Sequence, residues 1–445
     1  MRYFKHHAQS IEHMLSVVNK NSVDELFESI PVRERLSHEL KLPQALDELS
    51  LKRSLRDFCR APDFISFLGA GATEHFVPEW VSQQLMRAEW YTSYTPYQPE
   101  VSQGNLQAIF EFQTMAASLF GLDVANASMY DGATALMEAL LMAVRLKGIK
   151  AVALSQAIHP EYRDCVKTYL AFAGIRVLEY DFDQTGTTPL PHTQEPVAAY
   201  AAQSPNFFGQ IEDIKAWSEH AHALDALFVA CTTDMSSCAI FSSFGYLGAD
   251  IAVGEGLGLL GGLSMGGPGV GLLAAKQAFL RQLPGRLVGQ TTDRSGRPGY
   301  VLTLAAREQH IRREKATSNI CTNHNLMALA LAMTWSAYGQ QGFYDLALTN
   351  LNKARFFRNL LANLNISCSF TGAHYNETVV DLKNPETLKK RLKIAYDHKI
   401  IAGFELSKFY PKLNTHVLIA TTELHEIEEI KLLANILGGL YDHEL

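Results

Sequence analysis

Asp131-Gly132-Ala133-Thr134 stands directly ahead of a strongly helical stretch, residues 135–146, and follows a strand-like run ending near Met129. An acid there caps the helix, and small residues in the first turn leave backbone N–H groups open to an anion at the positive end of the macrodipole. The same residues serve equally well as a plain cap whose small side chains let the helix pack on a sheet. His159 follows another strand-like run, where an imidazole can stack on a flat ring or simply begin the turn before Pro160. Asp234 follows a third, placed to hold a protonated ring nitrogen or to cap a turn. An anion cup, a stacking ring and an acid for a ring nitrogen together suit an enzyme that condenses an aldehyde cofactor with an amine. Such an enzyme needs a lysine near a strand end. This chain has none between Lys215 and Lys276, and the glycine-crowded stretch 245–271 lies where one would stand.

Two further segments are crowded with hydrogen-bonding groups. Residues 94–104, Tyr94-Thr95-Pro96-Tyr97-Gln98-Pro99-Glu100-Val101-Ser102-Gln103-Gly104, fit neither helix nor strand, because Pro96 and Pro99 deny ladder donors. Such a stiff loop loses little further entropy on closing over a ligand or partner, and Tyr94, Tyr97, Gln98, Ser102 and Gln103 are its candidate contacts. Residues 307–323 mix dense charge with a polar run; Arg312 and Lys315 suit a carboxylate or phosphate, and Thr317, Asn319 and Thr322 lead into a helix start. The alternatives are surface packing for the first segment and a capped, solvated helix end for the second.

The elements that must position these groups alternate. Apolar strand-like runs at 151–154, 177–180, 197–202, 226–230 and 250–253 are separated mostly by helical stretches, which predicts a mostly parallel sheet covered on both faces. Small helices are expected at 11–18, 23–27 and 45–59, and one that Pro78 starts. From about residue 309 the pattern changes to amphipathic helices, 323–338 and 344–364, with strands near Cys368, at 378–382 and at 416–420. The expected organisation is a helical N-terminal extension, 1–63, a large α/β domain, 64–310, and a small C-terminal α+β domain, 311–445.

Composition narrows the function classes. The 445 residues are 47% hydrophobic and 19% charged, ordinary for a globular protein, and a net charge of −7 argues against nucleic-acid binding. Six scattered cysteines form no zinc-like spacing, so no metal site is expected, and the N-terminus lacks the apolar run of a signal peptide; a cytoplasmic protein is the simplest expectation. Gly256, Gly258 and Gly261 match a dinucleotide fingerprint in spacing, but the loop continues through Pro268 as a poor helix and no acid follows before Asp293. Residues 257–275 carry no charge, yet their glycines and proline favour a buried, turn-rich hairpin over a membrane span.

Taken together, Phe67-Leu68-Gly69-Ala70-Gly71, the 94–104 loop, the run 123–135, Pro205-Asn206-Phe207-Phe208-Gly209, Pro284-Gly285-Arg286-Leu287-Val288-Gly289 and residues 307–323 resemble the glycine cleavage system P-protein family, in the form of subunit 1 of its two-subunit type. The resemblance runs from Met1-Arg2-Tyr3-Phe4 into the C-terminal part, departing from the family pattern at Ser204 and in the apolar loop 254–262. It implies the type I fold of pyridoxal-phosphate enzymes: a mostly parallel seven-stranded sheet with helices on both faces and a smaller α+β domain. It also implies a hetero-oligomer in which a homologous subunit 2 supplies the lysine that holds pyridoxal phosphate, so that none is bound covalently by this chain. The complex would decarboxylate glycine and pass the aminomethyl group to the lipoyl group of the H-protein, with the T-protein and L-protein as further system members. Gly132, Ala133, Thr134, His159 and Asp234 would then be vestigial cofactor-site positions, and the 94–103 and 312–322 candidates would lend contacts to the partner's site. Two other functions remain open: a purely structural or docking subunit, and a self-sufficient enzyme using Lys315.

Overall fold

Five short runs rich in Ala, Val, Leu and Ile, buried on both faces, build the centre of the molecule, since only a sheet covered on each side hides such strands completely. The computed structural model describes residues 7–58, 64–192 and 195–442. Residues 1–62 and 63–445 form two compact units.

The first unit carries helix α1 (Ala8–Val17), 3-10 turns at Asp24–Phe27 and Val32–Glu34, and helix α2 (Glu48–Phe58). The helices expected here are present, although the stretch at 23–27 is a single 3-10 turn. Met1-Arg2-Tyr3-Phe4 and Cys59 lie outside the described residues.

The second unit is organised on seven strands: β1 (Val124–Ala125), β2 (Ala151–Ser155), β3 (Arg176–Tyr180), β4 (Ala199–Gln203), β5 (Leu227–Thr232), β6 (Ile251–Glu255) and β7 (Gly271–Ala275). Their spatial order is β1-β7-β6-β5-β4-β2-β3, and only β7 runs against the rest. The expected mostly parallel, seven-stranded sheet is therefore present. Helix α3 (Gln103–Phe120) packs Phe112, Ala116 and Phe120 against one face with Trp217 and Trp335, while helix α4 (Gly132–Lys147) packs Leu136, Leu140 and Ala143 against the other. The run expected to end near Met129 is regular only at β1; Met129 meets Gly271 in an isolated bridge, and Ser128 between them adopts φ +122°.

Beyond the sheet, β8 (Leu287–Thr292) and β9 (Pro298–Thr303) form a hairpin. The two expected helices follow one another within the 39-residue run α5 (Asn325–Asn363), broken by a kink where Gly339 leaves helical geometry (φ 60°, ψ −177°). It leads into a four-stranded antiparallel sheet, β10 (Ser367–Cys368), β11 (Glu377–Asp381), β12 (Phe404–Glu405) and β13 (His416–Ala420), in the order β10-β11-β13-β12. The strand Ile65–Ser66 pairs in parallel with Ile400–Ile401, which brings residues 64–76 between the two main sheets. Among the described residues no helix is long and apolar enough to cross a membrane, and the fingerprint glycines open only a 3-10 turn, Leu257–Leu259.

Candidate functional site

At the carboxyl ends of the parallel strands the capped helix start at 131–134 is present. Asp131 caps α4, accepting from the Thr134 amide at 2.8 Å while Thr134 Oγ1 accepts from the Asp131 amide at 3.2 Å. The cup is already occupied by an acid side chain of the protein itself. Glu255, the last residue of β6, accepts the Gly132 N–H at 2.8 Å through Oε2, and the Leu257 and Val270 N–H groups at 2.8 and 3.1 Å through Oε1. Burial pushes its carboxyl up to about 7 against the pull of those three donors.

His159 caps the helix Pro160–Phe172: Nδ1 accepts the Glu161 N–H at 3.2 Å, and Nε2 lies 2.8 Å from the Ala70 carbonyl, so the proton sits on Nε2. Burial lowers its pKa, in keeping with a neutral ring. The ring is covered by backbone. Gly71 lies against it at φ +82°, and a side chain there would begin 2.9 Å from Cδ2. Asp234 caps a turn through the Ser236 amide at 2.9 Å and accepts from Asn376 at 2.7 Å. The ring nitrogen it meets is a histidine's. His75 Nε2 is 3.1 Å from Asp234 Oδ1 and Nδ1 is 3.0 Å from Glu423 Oε2, with the imidazole fully buried. Burial pulls His75 down, but the two carboxylates, Asp234 foremost, outweigh it and lift it to about 10; both acids are held below their ordinary values.

The second constellation lies at the surface and is organised by Arg286, which immediately precedes β8 and is 5% exposed. Its guanidinium donates to Thr322 Oγ1 at 3.1 Å, the Cys321 carbonyl at 2.7 Å and Tyr97 Oη at 3.1 Å, and lies 5.5 Å from the centre of the Tyr97 ring. Two of the candidate segments are thereby tied together. The 317–324 run is fixed from beneath as well: Ser318 donates to buried Glu138 at 2.7 Å, Tyr130 Oη accepts from the Cys321 amide at 3.3 Å, and Asn323 donates to the Ala127 carbonyl at 3.1 Å. Tyr94, Gln98, Lys315 and Asn319 are exposed, and their side chains hydrogen-bond to none of the described residues.

The family model of the glycine cleavage system P-protein matches residues 1–437. The chain belongs to this family. It is 44% identical to "Probable glycine dehydrogenase (decarboxylating) subunit 1" of Carboxydothermus hydrogenoformans, over 99% of this chain and 100% of the relative. A crystal structure of glycine decarboxylase (P-protein) of the glycine cleavage system, in inhibitor-bound form, superposes with a TM-score of 0.84 at 41% identity, covering 99% of this chain and all of that one. A cysteine desulfurase from Thermococcus onnurineus matches at TM-score 0.62 and 15% identity, over 90% of this chain and 100% of its own, a likeness of fold alone. The fold is the type I fold of pyridoxal-phosphate enzymes.

Against that P-protein background the pocket of this chain does not fit pyridoxal phosphate. A carboxylate fills the cup, backbone covers His159, a histidine occupies the acid, and the loop that would carry a lysine has no room for one at Gly258, where a side chain would run into the Thr73 carbonyl. Lys315 sits exposed on a 3-10 turn, Arg313–Lys315, without a contact to Asp234 or His159.

Sequence reasoning passed over His75, Glu255 and Arg286 as site residues. Glu255 had a legible signal, an acid closing a run of buried strand residues beside a glycine loop; Arg286 stood inside a quoted motif without an assigned role. His75 had none. Gln103, by contrast, spends its side chain on the hairpin, donating to the Tyr300 carbonyl at 2.9 Å and accepting the Tyr300 amide at 2.9 Å. Arg312 reaches back to the Ala306 carbonyl at 3.3 Å, Ser102 begins α3 without a side-chain cap, and the Thr317 amide bonds to the Arg307 carbonyl at 3.1 Å.

Proposed function

We propose that this chain is subunit 1 of a two-subunit P-protein, in which a homologous subunit 2 bears the lysine and binds pyridoxal phosphate covalently, and that it lends side chains to the site of that partner. The assembled enzyme decarboxylates glycine and transfers the aminomethyl group to the lipoylated H-protein, alongside the T- and L-proteins, in the cytoplasm. What the cofactor supplies is an electron sink for the departing carboxylate. The single observation carrying this reading is the contrast within the chain: its own cofactor pocket is filled, while a rigid polar face stands open beside Arg286.

On this reading Tyr94, Tyr97, Gln98 and Asn319 face the partner's reacting centre. Thr322 and Tyr97 are held by Arg286, and Lys315 and Arg312 supply positive charge for a carboxylate or phosphate. Ser102, Gln103 and Thr317 hold the backbone of the face in place. Excluding water and fixing the substrate are the contributions such residues can make.

The test is glycine–bicarbonate exchange by subunit 2 with and without this chain, then with Tyr97→Phe and Asn319→Ala. Exchange should require this chain and fall in both variants while assembly stays intact. Unchanged rates in both would remove the contributed contacts and leave a structural or docking role.

A further inference from the structure

We propose that His75 and Glu255 are built-in stand-ins for the cofactor, His75 for its ring nitrogen opposite Asp234 and Glu255 for its phosphate at the start of α4, so that this chain folds with its pocket permanently closed and takes up no pyridoxal phosphate, covalent or otherwise.

An empty type I pocket has two sets of polar groups to satisfy. Its helix start presents N–H groups without partners, and its buried acid carries a charge without a counter-ion; both are costly unless water or a ligand meets them. Here the first amide of α4 has an acceptor and the buried acid has its counter-ion. The Gly132 amide, first of α4, has Glu255 Oε2 at 2.8 Å, and the other oxygen of that carboxylate bonds to two amides of the adjoining loop. A carboxyl oxygen at a helix start accepts the kind of amide by which a phosphate is recognised.

Asp234 receives a planar aromatic N–H from His75, the geometry and charge with which a pyridinium would meet it. The second nitrogen of that ring goes to Glu423, beyond β13, and the Phe76 amide donates to the other oxygen of Glu423 at 2.6 Å. Residues 69–76 thus thread the space between the two sheets, covering His159 through Ala70 and Gly71 and the glycine loop through the His75 amide, which donates to the Gly258 carbonyl at 3.0 Å. A cofactor entering would have to displace this whole segment together with a buried carboxylate–imidazole–carboxylate bridge.

The inference rests on the type I fold and on this chain's own residues, not on the contacts lent to a partner. Its test is hydrogen exchange in the assembled complex, with the cofactor removed and then restored. Amides of Gly132, Leu257, Val270 and His75 should exchange equally slowly in both states; amides that exchange fast until pyridoxal phosphate returns would overturn the proposal. A second arm uses Glu255→Ala in the cofactor-loaded complex. Inorganic phosphate should raise its unfolding midpoint by several degrees with saturation, and should move the wild type no more than chloride of equal ionic strength does. A wild-type complex that responds as strongly, or a folded variant that does not respond at all, sinks the assignment of Glu255. Loss of glycine–bicarbonate exchange on omitting the chain reads the subunit role separately, so failure of one reading leaves the other visible.

Discussion

The interior pocket around Asp234 and the surface around Tyr97 have similar inventories, yet they use them in opposite ways. In the pocket, the Gly132 amide, the His159 ring nitrogens and both oxygens of Asp234 are all engaged by the chain itself. On the surface, the exposed side chains of Tyr94, Gln98, Lys315 and Asn319 hydrogen-bond to none of the described residues, although the neighbouring Cys321 backbone is pinned by Arg286 and Tyr130 and the Ser318 side chain by Glu138. Rigid backbone under unspent side chains is the arrangement a binding site needs, because ordering costs are met before the partner arrives. Saturated groups in a closed interior are the arrangement of a core. The same fold is therefore saturated at one place and unspent at another, the contrast on which the proposed function rests.

The comparison breaks hardest at His75. His75→Leu leaves Asp234 and Glu423 as buried charges without their shared partner, and removing one member of such a bridge costs about 3–5 kcal/mol. The pH dependence has a defined sign. A histidine lifted from 6.5 to about 10 contributes stability that is complete below about 6.5 and is lost as pH rises through about 10, whereas the depressed Asp234 and Glu423 lose theirs as pH falls. Glu255, raised to about 7, and Glu377, raised to about 8, act in the same direction as His75. Unfolding midpoints of the complex should therefore fall from pH 6.5 towards 10, and His75→Leu should flatten that slope; a slope of equal steepness in the variant would remove the imidazole bridge from the account.

Arg286→Ala comes next, on the other side of the comparison. It frees Tyr97 from Thr322 and strips the Cys321 carbonyl of its donor, so the face loses its shape rather than its chemistry. Glycine–bicarbonate exchange should fall about 100-fold, about 2.7 kcal/mol of lost transition-state stabilisation. Arg286→Lys should rescue only weakly because one ammonium cannot reach three acceptors in a fixed plane. A variant that assembles and retains full exchange would show that the face is idle. Asn319→Ala removes a single exposed amide and should cost about tenfold, with the effect in kcat if it acts at the reacting centre and in KM if it only holds substrate.

The sheet was legible because its strands are apolar on both faces and its helices carry ordinary caps: runs at 151–154 and 226–230 lie within β2 and β5 or overlap them by most of their length. The break expected between 338 and 344 is real and falls at Gly339, whose φ of 60° and ψ of −177° interrupt the helical run. The cup at 131–134 was legible as a cup, since capping is a local matter of three or four residues. Its occupant was not. Glu255 reaches Gly132 across 123 residues of chain and His75 reaches Asp234 across 159, and nothing in local spacing encodes which side chains a fold will bring into one pocket. The lysine gap signalled that the pocket lacked its usual amine; only tertiary structure supplies what fills it.

The smallest effect separates support from contact. Gln103 was a candidate contact by its type and its place in a proline-stiffened loop, but its amide bridges the Tyr300 backbone in both directions and also donates to the Pro99 carbonyl at 2.7 Å. Those bonds lie in solvent-exposed surroundings, so each is worth about 0.5–1.5 kcal/mol at most, and their loss exposes groups that water can serve. Gln103→Ala should thus lower stability by about 1 kcal/mol and leave kcat for glycine–bicarbonate exchange unchanged, because the loop retains Pro96, Pro99 and the Arg286–Tyr97 tie. A fall in kcat well beyond that of Asn319→Ala would move Gln103 from the frame of the face to its working edge.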